Sequence, residues 1–150
     1  PIYAVAFKIP YGFKQETCNY TEEGRQLIHK RLTHLDVIFR YLAEHPLRHE
    51  SIELNDNRIS RMSAQRGKCS ITKKQLTVYD MRVHKIYPNG GDGYRNIDIV
   101  SSDAYELIHT KESERAKELI TKLTSEGLWN ENALKKTNNY RILVGNAIIE

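Results

Sequence analysis

In the stretch MRVHKIYPNGGDGYRNIDIV, residues 81–100, His84 stands four residues before Pro88, a glycine-rich turn follows, and Asn96 opens a second strand-like run, with His109 nine residues beyond its end. A hairpin packed on a helix is an economical frame for holding one divalent cation over a scissile phosphate. The first strand supplies an imidazole base for the attacking water, and the helix supplies ligands for an ion that neutralises the leaving oxygen. His84 suits the base, Asn96 can hold the loop and the imidazole, and His109 shares a helix face with residue 105, one turn earlier. The same side chains also have ordinary structural roles: His84 hydrogen-bonded in a small core, His109 on a helix surface, Asn96 favoured in a turn after Gly-Asp-Gly-Tyr. Gly90, Gly91 and Gly93 read as a tight turn rather than a phosphate cradle, because a P-loop also needs a Lys-Ser/Thr pair opening a helix.

The elements that must position these residues follow from the spacing of apolar side chains. TEEGRQLIHKRLTHLDVIFRYLAEHP sets Ile28, Leu32, Leu35, Phe39 and Leu42 at spacings of four, three, four and three. That draws one apolar stripe along a helix, with Thr21 as cap and Pro46 as stop. A shorter helix is predicted over 55–65, capped by Asn55 and closed by Gly67. CSITKKQLTVYDMRVHKIYP is β-type in composition, PNGGDGYRN turns, and IDIV runs back. A helix capped by Ser102 or Asp103 comes next, then two more over 113–126 and 131–143, whose Leu119, Ile120, Leu123 and Leu128 pack on the hairpin. Residues 1–20 read as an extended arm broken by Pro10 and Gly12.

A chain of 150 residues fits one domain, or a small domain with an arm. Its net charge of +4 favours an anionic partner over an acidic small substrate. The distribution says more. From Arg58 to Lys74, RISRMSAQRGKCSITKK carries Arg58, Arg61, Arg66, Lys68, Lys73 and Lys74 and no acidic residue. Such a segment suits a phosphate backbone, or else forms a solvated face with its counter-charges elsewhere. Arg25, Lys30, Arg31 and Arg40 on the long helix leave the same two options open. Cys18 and Cys69 lie far apart and in no C-x-x-C, which supports neither a disulfide framework nor a four-cysteine zinc site and points to a reducing compartment. No stretch approaches the roughly 20 apolar residues of a membrane span and the first residues lack a signal peptide, so a cytoplasmic protein with no membrane partner is expected. Because the chain opens on Pro1 rather than methionine, it is expected to be a piece of a longer or processed polypeptide.

SIELNDNRISRMSAQRGKCSITKKQL, VHKIYP, GYRNIDIV, LIHTK and YRILVGNAII together resemble the HNH nuclease domain at the C-terminus of group II intron-encoded reverse transcriptases, the maturase proteins. CNYTEEGRQLIHKRL is similar to the DNA-binding segment that links the maturase and nuclease regions there, so the likeness covers nearly the whole chain after residue 15. The resemblance implies an α+β fold, an HNH ββα-metal hairpin over 67–110 with flanking helices. It divides the chain into residues 1–50, an extended arm and basic amphipathic helix forming a DNA-binding segment, and residues 51–150, the HNH-like domain with C-terminal helices.

The function implied is that of an HNH-type DNA endonuclease, which cuts one target strand so that the exposed 3′ end primes reverse transcription. DNA is the implied partner, with intron RNA bound through the parent protein. By the same likeness His84 matches the general base, Asn96 the middle residue of the motif and His109 the last ligand of a divalent Mg²⁺ or Mn²⁺ ion. The departures are informative. Val83 stands where the family has a metal-binding His or Asp, and Tyr105 where it has a second helix His. Cys69 alone matches the paired cysteines that hold zinc in many members, so zinc is not expected. Changes beyond the ligands alone cost metal sites roughly ten- to a hundred-fold, and loss of two ligands costs more, so impaired cleavage is expected. Asp92, Asp98 and Asp103 are the carboxylates that could substitute. Two functions remain in view: an HNH endonuclease, and a non-catalytic nucleic-acid-binding remnant of the same family.

Overall fold

The computed structural model describes residues 22–150, leaving aside the side chains of residues 23–33. The order is α1 (Glu22–Glu44), α2 (Ile52–Ala64), β1 (Arg82–Lys85), β2 (Ile97–Val100), α3 (Ser102–His109), α4 (Ser113–Ser125) and α5 (Glu131–Leu143), which makes an α+β chain. It divides into two compact units, residues 1–37 and 38–150. The division falls inside α1, and Ile38 and Leu42 of the second unit belong to the same buried cluster as Leu54 and Met62 of α2. Of the predicted stripe, Thr21 and the side chains of Ile28 and Leu32 lie outside the described residues. Among the described residues no helix is long and apolar enough to cross a membrane.

In the second unit, the antiparallel pair β1 and β2 sets Arg82, Val83, His84 and Lys85 opposite Val100, Ile99, Asp98 and Ile97. All four residues of β2 are buried, although Ile-Asp-Ile-Val has a carboxylate at its second position. That carboxylate can be buried only if it is fully partnered, and its partners organise the site described below. A second apolar cluster of Leu107, Ala116, Leu119 and Leu123 joins α3 to α4, and Trp129 packs against both clusters.

Local chemistry explains where the elements begin. Helix α2 starts earlier than predicted because Ser51, not Asn55, is its cap, its hydroxyl accepting from the Leu54 amide at 3.0 Å. Asn55 instead pins the preceding linker, its amide group bonding the Leu47 N–H at 2.8 Å and C=O at 3.2 Å. At the other end of α2 the amides of Arg66 and Gly67 donate back to Ser63 and Met62, both at 3.0 Å, the paired bonds of a Schellman ending. The left-handed position is therefore Arg66, with φ of 55°, rather than Gly67 alone. In α4 the equivalent place is filled by Gly127, whose φ of 70° carries no side-chain penalty.

The long β-type run expected from Cys69 to Pro88 pairs only over residues 82–85. Its first half is a compact turn, in which the Cys69 amide donates to Lys74 O at 2.8 Å and the Lys73 amide to Cys69 O at 3.0 Å. The isolated bridge between Lys68 and Gln75 closes it. Ile71 and Thr72 are buried there outside any strand, so their β-type character serves packing, while the Leu76 amide donates to Gly67 O at 2.8 Å beside the bridge.

Candidate functional site

The loop between the strands is held by Asn96. Its Oδ1 accepts from the Tyr87 amide at 2.8 Å, and its Nδ2 donates to Tyr87 O at 3.0 Å and Gly91 O at 2.8 Å. A Cβ at position 90 would lie 2.8 Å from Asn96 Nδ2 and 2.9 Å from Tyr87 Cβ, so glycine is needed there for the amide to reach the loop. These bonds all go to loop backbone; Asn96 secures the hairpin and leaves the imidazole to its own neighbours.

Those neighbours are aromatic. His84, 1% exposed, points to the face it shares with Asp98. Its ring centroid lies 4.7 Å from that of Tyr140 on α5, 5.5 Å from that of His109 and 6.5 Å from that of Tyr105, both on α3. The structure therefore brings His84 and His109 together, with the Tyr105 ring 4.4 Å from that of His109 and tilted by 40°. His84 Nε2 has no hydrogen-bond partner. Burial, with the charge of His109 second, holds the His84 imidazole at about 4 against the opposing pull of Asp98. Burial also lowers His109.

The donors around this pair do not fit a Mg²⁺ or Mn²⁺ ion, which needs several oxygen ligands. Val83 and Tyr105 line a separate cleft of about 530 Å³ with Met81, Ile99 and Leu54. Each carboxylate named as a substitute has other partners. Asp92 accepts from Ser51 Oγ at 2.5 Å and pairs with Lys85 at 2.9 Å, while Asp103 pairs with Lys122 at 2.8 Å. Asp98 accepts from Ser70 Oγ at 2.6 Å, from Tyr140 and from Arg61, with Lys136 Nζ at 3.3 Å. Burial pushes the Asp98 carboxyl up, but the bonds from Ser70, Tyr140 and Arg61 and the charge of Lys136 outweigh it and bring it down to about 2. Among the described residues no three His, Cys, Asp or Glu side chains gather as a metal site.

The basic segment splits into two groups. Arg58, expected on the surface facing phosphate, is 6% exposed and donates through Nη2 to Leu42 O at 3.1 Å and His45 O at 2.8 Å. It thereby satisfies carbonyls at the C-terminal end of α1, where a cation is favoured. Arg141 does the same for α3, bonding Leu107 O and, at 3.0 Å, Thr110 O. Arg61 is held by Asp98 and lies 4.9 Å from the centre of the Tyr94 ring, and Lys74 pairs with Asp80 at 3.4 Å. Arg66, Lys68 and Lys73 remain exposed on the turn, with Lys73 Nζ only on the Ser70 carbonyl at 3.1 Å.

Ser70, Tyr140 and Lys136 were not singled out from the sequence. Lys136 reaches Ser70 from 66 positions away, and no spacing rule connects residues that distant. The one available signal was Asp98 itself, a charge in an apolar strand.

Comparison of the chain with protein-family models, curated proteins and solved structures returned no match.

The buried imidazole makes stability pH-dependent. An unfolded histidine titrates near 6.5 and the folded one at about 4, so as pH falls through this window the unfolded chain binds a proton that the folded chain refuses. Stability is full above about 6.5 and declines towards pH 4, by about 2 kcal/mol at pH 5. Urea unfolding of the chain at pH 7.5 and 5 is expected to show this loss, and His84→Phe, which keeps an aromatic ring beside Tyr140, is expected to shrink it. An equal pH dependence in the variant would assign the loss to other groups.

Proposed function

We propose that the chain is a nucleic-acid-binding module of the HNH type, related to the C-terminal region of group II intron-encoded reverse transcriptases, in which a ββα scaffold persists and strand cleavage has been lost. The observation that carries the reading is the turn 66–74. It hydrogen-bonds to β2 through the Ser70 amide and Ile99 O at 3.0 Å, and it presents Arg66, Lys68 and Lys73 with no carboxylate partner among the described residues. Exposed cations on a fixed backbone suit the phosphates of duplex DNA, whose contacts position a protein without reading sequence. Intron RNA, bound through a parent protein, is the second polyanion this surface would suit.

The chemistry of the hairpin supports loss of cleavage. A general base near neutral pH needs an imidazole that can reach water and accept its proton, whereas His84 is enclosed and held at about 4. Val83 and Tyr105 stand at two ligand positions of the resemblance, and Asp92, Asp98 and Asp103 are each already paired, so the residues present fit poorly an ion that would neutralise the leaving oxygen.

The endonuclease reading keeps one supporting observation, the approach of His84 on β1 to His109 on α3 at 5.5 Å. Supercoiled plasmid incubated with the chain and Mg²⁺ or Mn²⁺ separates the two. The expected result is plasmid retarded on a gel but never nicked, identical for the chain, His84→Ala and the EDTA control. Metal-dependent nicking that disappears in His84→Ala would establish the endonuclease instead.

A further inference from the structure

The turn 66–74, the C-terminal half of α2 and the middle of α5 border a half-open pocket of about 350 Å³. Arg61, Arg66, Lys68, Lys73 and Lys136 line it, over a floor that includes Ser70 and Asp98, so five cations share one carboxylate. That carboxylate is 1% exposed and bonded by Ser70, Tyr140 and Arg61, which leaves it little to offer an incoming cation.

Several cations elsewhere among the described residues have carboxylate mates of their own: Lys85 with Asp92 at 2.9 Å, Arg115 with Glu106 at 2.6 Å, Lys122 with Asp103 at 2.8 Å and Lys135 with Glu131 at 2.7 Å. In the pocket the arrangement is reversed, and like charges are drawn together. The ammonium groups of Lys73 and Lys136 converge on a single acceptor, the Ser70 carbonyl, at 3.1 and 3.2 Å. Arg61 is fixed between Asp98 and the face of Tyr94. A concave surface on which five cations outnumber one carboxylate focuses its field on the volume it borders, and an anion placed there relieves the repulsion between the lysines.

We propose that this pocket binds one phosphate group between Lys73 and Lys136, that the phosphate comes from a polynucleotide backbone, and that Arg66 and Lys68 meet neighbouring phosphates of the same strand. The backbone as source rests on the nucleic-acid reading; the pocket does not. Arg61 supplies charge, while Asp98 and Ser70 are positioning residues that hold Arg61 and Lys136 at the pocket wall. The site joins the turn to α5, so Lys136 takes part in binding although it lies far outside the basic segment.

The test uses the full chain in two arms. In the first, inorganic phosphate is titrated against chloride at matched ionic strength while the backbone amides of residues 66–74 are followed by NMR. In the second, duplex DNA affinity is measured for Lys136→Gln, for Lys73→Asn, which leaves the Asp98 network intact, and for Lys117→Gln on α4 as a charge-matched control. The expected result is saturable shifts with phosphate but not chloride, lost in both pocket variants, and DNA affinity lowered about eight-fold at ~0.1 M salt in each of them, as one lost phosphate contact implies. The control also loses one positive charge and is expected to stay near the parent. If DNA binds in a salt-dependent way but phosphate acts no differently from chloride and the pocket variants match Lys117→Gln, the pocket is overturned and the nucleic-acid reading survives. If phosphate binds and needs Lys136 but DNA does not bind, the pocket stands as a site for free phosphate and the nucleic-acid reading falls.

Discussion

Replacing Arg66, Lys68 and Lys73 together, as Arg66→Asn, Lys68→Gln and Lys73→Asn, is expected to weaken duplex DNA binding by roughly two to three orders of magnitude at ~0.1 M salt. Each cation that neutralises a phosphate adds about 0.9 to the slope of log K against log salt, so three of them account for a slope of about 2.7. The choice of residues protects the fold. Arg66 and Lys73 sit at φ of 55° and 59°, a left-handed conformation in which asparagine is the least strained side chain after glycine. All three side chains are exposed, so stability should stay within about 0.5 kcal/mol of the parent. Loss of affinity with an unchanged urea midpoint is the expected pair of observations. An unchanged affinity would move the interface off this turn.

Asp98→Ala is expected to destabilise the second unit by about 3–5 kcal/mol, because removing one partner of a buried ion pair strands the other. The side chains stranded are identifiable: the Arg61 guanidinium, the Tyr140 hydroxyl, the Ser70 hydroxyl and the Lys136 ammonium all meet this carboxylate. Domains have only about 5–15 kcal/mol in total, so the variant should unfold at a much lower urea concentration. Asp98→Asn, which retains an acceptor oxygen and the shape, should cost less. The pH behaviour has the matching sign. A carboxyl held down to about 2 contributes stability above its ordinary range near 3.8 and loses it as pH falls through about 2. This lies below the His84 window, so mild acid weakens the fold through the imidazole before Asp98 titrates. An Asp98→Ala variant within about 1 kcal/mol of the parent would show that the carboxylate is a bystander.

Much of the helical framework was legible in the sequence, and the reasons are local. Helix α5 occupies the expected residues behind its Asn130 cap, and α4, with Ala116, Leu119 and Leu123 buried at helical spacing, ends one residue short of expectation. The start of α2 is not marked in the sequence because Ile52, the first helical residue, is 82% exposed and lies off the buried face of Leu54, Arg58 and Met62. The β-type run is shorter than its composition suggests because Ile71 and Thr72 are buried in a turn, and burial outside a strand leaves no period to detect.

The site divides in the same way. The nearness of His84 to His109 follows from strand, turn and helix in sequence order, which spacing does convey. The fate of Arg58 and Arg61 depends on His45 O and on Asp98, and that of the turn lysines on Lys136. Such partners meet through packing between separate elements, so the sequence showed the charge of the segment but not which cations remain free. Asp98 was considered as a metal ligand for the same reason: a carboxylate in an apolar strand announces a strong partner, and only the fold shows that the partners are an arginine, a lysine and two hydroxyls.

The most direct measurement is the affinity of the full chain for a labelled duplex between about 50 and about 200 mM salt, followed by fluorescence anisotropy. Binding through Arg66, Lys68 and Lys73 requires log K to fall linearly with log salt, with a slope of at least about 2.7 in magnitude. An affinity that does not change over this range, or no binding at the lowest salt, would contradict the account of this chain as a phosphate-contacting module.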